Sequence, residues 1–234
     1  MKQNRVTAIV LAAGQGKRME TSVAKQFLTL DNKPVIYYSL KAFEESSVDE
    51  IILVTGREQI DYCMEHILKP YQINKVSRVI EGGKERYESV YHVLKDIKQT
   101  DYVLIHDGAR PFIATNLIEM LIEKVKEFKA CILGTPVKET IKQVNEDDYI
   151  TATPDRNTLW AAQTPQVFSY EAIKKAYDLF YADEEMNKKA ITDDAMVYEK
   201  YMKLPVKMVM GSYHNLKLTT PEDLIIAETL LHNI

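Results

Sequence analysis

Short, almost uninterrupted apolar runs, each followed by a stretch of helical periodicity, constrain this chain more than any other feature. Residues 5–13, 50–55 ("EIILVT"), 76–80, 101–107 ("DYVLIHD") and 130–137 ("ACILGTPV") read as strands. They lack the apolar–polar alternation of a sheet with one wet face, so both faces must be covered. Between them, residues 34–43, 59–68, 85–97 and 115–128 place apolar side chains at helical spacing, as with Leu117, Leu121, Ile122 and Val125. This repetition predicts an α/β fold: a parallel or mostly parallel sheet with helices on both faces. At 234 residues the chain is long enough for one such domain with a sizeable core.

The alternation breaks at residues 138–154, "KETIKQVNEDDYITATP". Strand-like segments there flank a polar turn at 145–148, which predicts a β-hairpin with little apolar content of its own. A lone two-stranded hairpin is marginal in water, so it is expected to lean on something else, a partner subunit being one candidate. Beyond it the pattern predicts helices near 170–180 and 193–200 and strands near Val206 and Asn215. A last helix starts at Pro221, with Thr220 as its cap and Glu222 and Asp223 suited to its dipole.

Charge and residue usage narrow the function classes. Thirty Lys+Arg against 34 Asp+Glu give a net charge of -4, which argues against a nucleic-acid partner, since that needs a basic excess. Cys63 and Cys131 sit in apolar segments without ligand or redox spacing and read as buried hydrophobes. The five histidines form no zinc pattern. No apolar stretch approaches the roughly 18 residues of a membrane span, and no signal peptide is visible. The expectation is a cytoplasmic protein with no membrane partner.

Open α/β sheets bind ligands beyond the carboxyl ends of their strands, so the segments after each strand carry the candidate chemistry. "IVLAAGQGKRM" (9–19) ends the first run in Gly14 and Gly16, then Lys17 and Arg18, with Lys25 close behind. It is not a Walker A loop, and Met19 occupies the third glycine position of a dinucleotide fingerprint. A plain tight turn and a polyphosphate-binding loop both remain open. "EGGKER" (81–86) again follows a strand and opens a helix. Its two readings are a turn with a solvated charged face, and glycines approaching a base or ribose while Arg86 and Ser89 sit where helical N–H groups favour anions. In "HDGARP" (106–111), Asp107 ends the most apolar strand. Such a carboxylate either holds Mg²⁺ against phosphates or forms the turn, and Arg110 either binds a phosphate or braces the loop. Thr140, Arg156, Thr164, Thr192, Asp193 and Lys217 are individually uninformative.

Taken together, "LAAGQGKRM…AKQF", "EGGKERYESV", "HDGARPF", "DRNTLWAAQTPQVF", "ITDDA" and "NLKLTTPEDL" resemble the 2-C-methyl-D-erythritol 4-phosphate cytidylyltransferases of the non-mevalonate isoprenoid pathway, from the first strand to the last helix. The resemblance implies a Rossmann-like domain covering residues 1–234 and a β-arm at about 138–156 that reaches across a homodimer. It implies that Ala12, Ala13, Gly14, Gly16, Arg18 and Lys25 hold the CTP triphosphate, and that Gly82, Arg86 and Ser89 surround cytosine and ribose. Asp107 would carry Mg²⁺ or another divalent cation and, with Arg110, Thr164, Thr192 and Lys217, line the site of the sugar-alcohol phosphate. Thr140 and Arg156 would reach the neighbouring subunit's substrate. Arg18, Lys25 and Lys217 are the implied catalytic cations. Gly108 departs from the alanine of many relatives.

Ribitol-5-phosphate cytidylyltransferases are the nearest rival. They tend to show "LAGG" for the "LAAG" here and a Ser-Asp-Ala-Cys-like run for "TDDA", and they lack the "DRNTLW" form. A non-catalytic nucleotide sensor on the same fold is the alternative of a different class; the presence of Lys25 and Asp107 speaks against it. The implied reaction is in-line attack by a phosphate oxygen on the α-phosphorus of CTP. It needs no nucleophilic side chain, in keeping with the absence of a Cys/His or Ser/His constellation.

Overall fold

The computed structural model describes residues 4–14 and 24–232. Its elements are, in chain order, β1 (Val6–Ala12), β2 (Thr29–Leu30), β3 (Lys33–Pro34), α1 (Val35–Glu44), β4 (Glu50–Thr55), α2 (Ile60–Cys63), β5 (Val76–Glu81), α3 (Arg86–Asp96), β6 (Tyr102–Asp107), α4 (Thr115–Phe128) and β7 (Ala130–Pro136). Then come β8 (Gln143–Val144), β9 (Ile150–Ala152), β10 (Trp160–Ser169), α5 (Tyr170–Ala182), α6 (Asp194–Met202), β11 (Lys207–Met210) and α7 (Pro221–Leu231).

Seven strands form one sheet in the order β11-β7-β10-β6-β1-β4-β5. Its neighbours pair in parallel except at β10, which runs antiparallel to both β6 and β7. Successive strand residues point to opposite faces, and each face is covered. Ala8, Val10, Leu53 and Leu104 pack with α1 and α4 through Ile36, Leu40, Phe43, Ile118 and Leu121. Ile9, Ile52, Val54, Val103 and Ile105 pack with α3, α5 and α6 through Val90, Val93, Ile173, Phe180 and Tyr198. The continuous apolar runs thus follow from burial on both sides, and the α/β expectation of a mostly parallel sheet holds.

Local chemistry sets the boundaries. Asp193 caps α6 by accepting from the Met196 N–H at 2.9 Å. Thr220 and Asp223 form a reciprocal capping box at α7. Pro34 is extended and precedes α1 rather than entering its first turn. Residues 59–68 are helical but irregular: α2 continues as one wide turn, Met64–Leu68.

Two expectations change. Trp160–Ser169, read without a strand, is a ten-residue strand in the middle of the sheet. Its run contains Gln163, Thr164, Pro165 and Gln166, which resemble a loop, and the proline is tolerated because the pairing with β7 shifts register between Ala162 and Gln166. Asn215 is not in a strand. Its backbone closes a turn onto Ser212, and its buried side chain donates to Gln163 Oε1 at 3.2 Å and to the Thr164 carbonyl at 2.9 Å.

The hairpin is present as β8 and β9, paired antiparallel, with every residue from 138 to 153 exposed. The Asn145 side chain shapes its turn, accepting from the N–H groups of Asp147 and Tyr149 at 3.2 and 2.9 Å. Its root is fastened: Arg156 donates to the Lys138 carbonyl at 2.8 Å, and the Lys138 ammonium lies 3.7 Å from the centre of the Tyr213 ring.

Candidate active site

The strand order turns at β1, which has β4 on one side and β6 on the other. Two clefts open there, at the carboxyl ends of the strands, as expected for a sheet of this kind. The first, about 660 Å³, is lined by Ala12, Ala13, Gly14, Lys25, Ser89 and the start of α3. The second, about 560 Å³, is lined by Arg110, Thr164, Thr192 and Asp193. Arg86, Asp107 and Lys217 line both.

These three side chains form one wall. Asp107 ends β6. Its Oδ1 accepts from Arg86 Nε at 3.1 Å, and its Oδ2 lies 2.7 Å from Lys217 Nζ. Burial by itself raises the Asp107 carboxyl, but Arg86 and Lys217 outweigh it and hold the group well below the usual carboxylate range. The Asp107 N–H donates to Thr164 Oγ1 at 3.0 Å, and that hydroxyl lies 3.2 Å from His106 Nδ1. His106 is fully buried, and burial pushes its pKa down to about 3, so the ring is neutral. With Thr164 donating to Nδ1, the proton sits on Nε2 and is given to the Arg110 carbonyl at 3.3 Å. Arg110 itself donates to the Asn215 carbonyl at 2.7 Å.

The floor of the first cleft depends on Gln26, whose buried amide donates to the carbonyls of Ala12 and Gly14 and fixes where β1 ends. Gly82 packs so closely that a Cβ there would lie 2.4 Å from Ala13 Cβ and 2.9 Å from Ser89 Oγ. Ser89 Oγ accepts from the Gly83 N–H at 3.0 Å. The N-terminus of α3 is partly capped by its own side chains. Glu88 accepts from the N–H groups of Lys84 and Glu85, at 2.7 and 3.3 Å, in a capping box with Glu85.

A family model described as IspD, 2-C-methyl-D-erythritol 4-phosphate cytidylyltransferase, matches residues 6–233. The chain belongs to this family. The 2-C-methyl-D-erythritol 4-phosphate cytidylyltransferase of Lachnoclostridium phytofermentans is 53% identical over 227 residues, covering 97% of this chain and 96% of the relative. That of Clostridium botulinum strain Loch Maree is 46% identical over the whole of both chains. Among solved structures, the 4-diphosphocytidyl-2C-methyl-D-erythritol synthase of Anaerococcus prevotii superposes with a TM-score of 0.84 at 33% identity, covering 98% and 99% of the two chains. The chain is thus a nucleotidyltransferase of the cytidylyltransferase class.

Of the cytidylyltransferase residues expected from sequence, the clefts bring together Ala12, Ala13, Gly14, Lys25, Arg86, Ser89, Asp107, Arg110, Thr164, Thr192 and Lys217. Gly82 lines an adjoining cleft that shares Ala13, Gly14, Gln26 and Gly83 with the first. Gly16 and Arg18, with Lys17, lie outside the described residues. Thr140 and Arg156 are exposed on the arm and line neither cleft. Gly108 is closely packed: a Cβ would lie 2.3 Å from Ile36 Cδ1, so alanine requires that side chain to move. Sequence reasoning missed Gln26, His106, Gln166, Tyr177 and Asp194 as site-building residues. Gln26, His106, Gln166 and Asp194 lie within the quoted motifs "AKQF", "HDGARPF", "DRNTLWAAQTPQVF" and "ITDDA" without being singled out there, and Tyr177 lies in none of them.

Proposed function

We propose that the chain transfers CMP from CTP to 2-C-methyl-D-erythritol 4-phosphate, releasing pyrophosphate, with CTP in the first cleft and the sugar-alcohol phosphate in the second. The observation that carries this arrangement is the wall of Arg86, Asp107 and Lys217 common to both clefts. A phosphate oxygen from the second cleft meets the α-phosphorus in the first across that wall, and pyrophosphate leaves on the opposite side. Lys25 and Lys217 neutralise charge on the phosphates, and Arg86 fixes the geometry. The chain's work is positioning and charge stabilisation.

A divalent cation belongs to the same proposal. Each Asp107 oxygen accepts from one cationic partner and keeps a further lone pair, and the carboxyl stays ionised. Asp107 therefore fits one ligand position of Mg²⁺, with phosphate oxygens completing the set. When bound, the ion would neutralise and polarise the triphosphate. Among the described residues no group of three or more His, Cys, Asp or Glu is arranged to hold a metal by itself.

The exposed arm supports a homodimer in which Thr140 and Arg156 serve the neighbouring subunit's second cleft. Ile141, Val144, Tyr149, Ile150 and Trp160 are all exposed along it or at its base. Mixing Lys25→Ala and Arg156→Ala chains should restore activity in heterodimers, because one site then has both an intact cleft and an intact arm. No rescue, with heterodimers verified by sedimentation, would refute an arm acting on the partner. Among the described residues no helix is long and apolar enough to cross a membrane, which fits the cytoplasmic location proposed here.

Substrate choice is tested by pyrophosphate release from CTP with 2-C-methyl-D-erythritol 4-phosphate against ribitol 5-phosphate. Preference for the first supports the proposal; preference for the second overturns its substrate.

A further inference from the structure

Arg86 is held from behind by a residue that lines neither cleft. Asp194, the first residue of α6, is fully buried. Its Oδ2 accepts from Arg86 Nη2 at 2.7 Å, and its Oδ1 accepts from the Tyr177 hydroxyl at 2.6 Å. Tyr177 is also fully buried, on α5 against Phe180. The backbone is fixed as firmly: the N–H groups of Asp194 and Ala195 both donate to Gln166 Oε1 at 3.0 Å. Gln166 Nε2 in turn donates to Asp193 Oδ2 at 2.8 Å. The guanidinium is therefore gripped on two edges, by Asp107 in front and Asp194 behind.

Stability alone is a poor reason to bury this carboxylate. Packed apolar side chains in place of a buried ion pair are often neutral or stabilising. The arrangement does have a mechanical consequence. An arginine paired only with Asp107 would be drawn off by an arriving triphosphate, since phosphate is an equally good bidentate acceptor. A second charge-assisted bond, from a fully buried anion on a rigid helix, prevents that swing.

We propose that Asp194 and Tyr177 are positioning residues for the transfer reaction. They anchor Arg86 so that it stays on Asp107 and presents its remaining N–H groups to the phosphates when both clefts are filled. The inference rests on the CMP-transfer reading, and its test separates the two.

Asp194→Asn keeps the shape and removes the charge; Tyr177→Phe keeps the ring and removes the hydroxyl. With both substrates saturating, Asp194→Asn should lower kcat by about 10- to 100-fold, the scale of a sub-ångström to ångström misplacement, and Tyr177→Phe by less. If both act through Arg86, neither should lower kcat by more than about two-fold in an Arg86→Gln background, because coupled residues are non-additive. A merely structural role predicts the same fold-loss in both backgrounds, and that result would overturn the proposal, as would wild-type kcat in both single variants. Should Asp194→Asn fail to fold, Tyr177→Phe carries the test. A reaction-independent readout is exchange of the Arg86 Nε–H proton with solvent, followed by NMR without substrates. Faster exchange in Tyr177→Phe supports the anchor, and unchanged exchange contradicts it. A wild-type chain that releases no pyrophosphate would count against the transfer reading, while the exchange measurement would still decide the anchoring.

Discussion

Asp107→Asn is the perturbation that most fully exercises the geometry of the wall. The amide keeps the shape of the carboxylate but removes the charge that Arg86 Nε approaches at 3.1 Å and Lys217 Nζ at 2.7 Å. At about 3 Å and an effective dielectric of about 20, each pair has a gross attraction of about 5 kcal/mol. Desolvation offsets much of that, and removing one member of a buried pair costs about 3–5 kcal/mol net. Arg86 keeps Asp194, and Lys217 is 36% exposed and screened by solvent, so the lower end applies: about 3 kcal/mol. For a chain of this size that corresponds to a Tm lowered by about 6–12 °C. In metal-free buffer, CTP should then raise Tm more in the variant than in the wild type, because its phosphates supply the missing negative charge. The acid limb should change as well. A carboxyl depressed in the folded state contributes stability above its unfolded value, near pH 4, that is lost as pH falls towards the folded value. Asp107→Asn should therefore flatten the loss of stability below about pH 4. Thermal unfolding with and without CTP, across pH 2–7, measures all three effects. An unchanged Tm with an unchanged CTP shift would refute the reasoning.

Other expectations follow from the same site. Lys25→Ala should lose about 3 kcal/mol of transition-state stabilisation, about 10²-fold in kcat/KM, with the fold retained; near-normal turnover would remove Lys25 from the site. His106 is held neutral, its pKa pushed down by burial from 6.5 to about 3. Its contribution to stability is thus present above the unfolded value and lost as pH falls from 6.5 towards 3. His106→Gln should take up about one proton fewer on unfolding across that window, as read from the pH dependence of denaturant midpoints. Gly82→Ala forces a Cβ to within 2.4 Å of Ala13 Cβ. It should destabilise the chain by about 1–3 kcal/mol and weaken CTP binding in calorimetry; unaltered affinity would separate Gly82 from the nucleotide.

The parallel part of the sheet was legible because burial on both faces leaves a plain signature, apolar runs of strand length. β4 and α4 begin and end where the periodicity placed them. β10 was illegible for the opposite reason. It is central yet polar, since Gln163, Thr164 and Gln166 are buried by hydrogen bonding instead of hydrophobicity. The same distinction governs the site. Lys25, Arg86 and Asp107 stand in or next to segments that follow strands, so position marked them as candidates, whereas the role of Lys217 came only from the resemblance to the family. Asp194 and Tyr177 act from behind the wall, and Gln26 from beneath the loop. Their roles exist only through contacts between residues far apart in sequence, such as Arg86 with Asp194. No local pattern records those contacts.

The origin of the bridging oxygen tests the central claim most directly. 2-C-methyl-D-erythritol 4-phosphate labelled with ¹⁸O in its phosphate, CTP and the purified chain are mixed, and the products are resolved by ³¹P NMR and mass spectrometry. If the phosphate in the second cleft attacks the α-phosphorus of CTP across the Arg86–Asp107–Lys217 wall, all of the label appears in the diphosphate product, one labelled oxygen bridges its two phosphorus atoms, and the pyrophosphate is unlabelled. Label in pyrophosphate, an unlabelled bridge, or CTP hydrolysis without a diphosphate product would contradict the account.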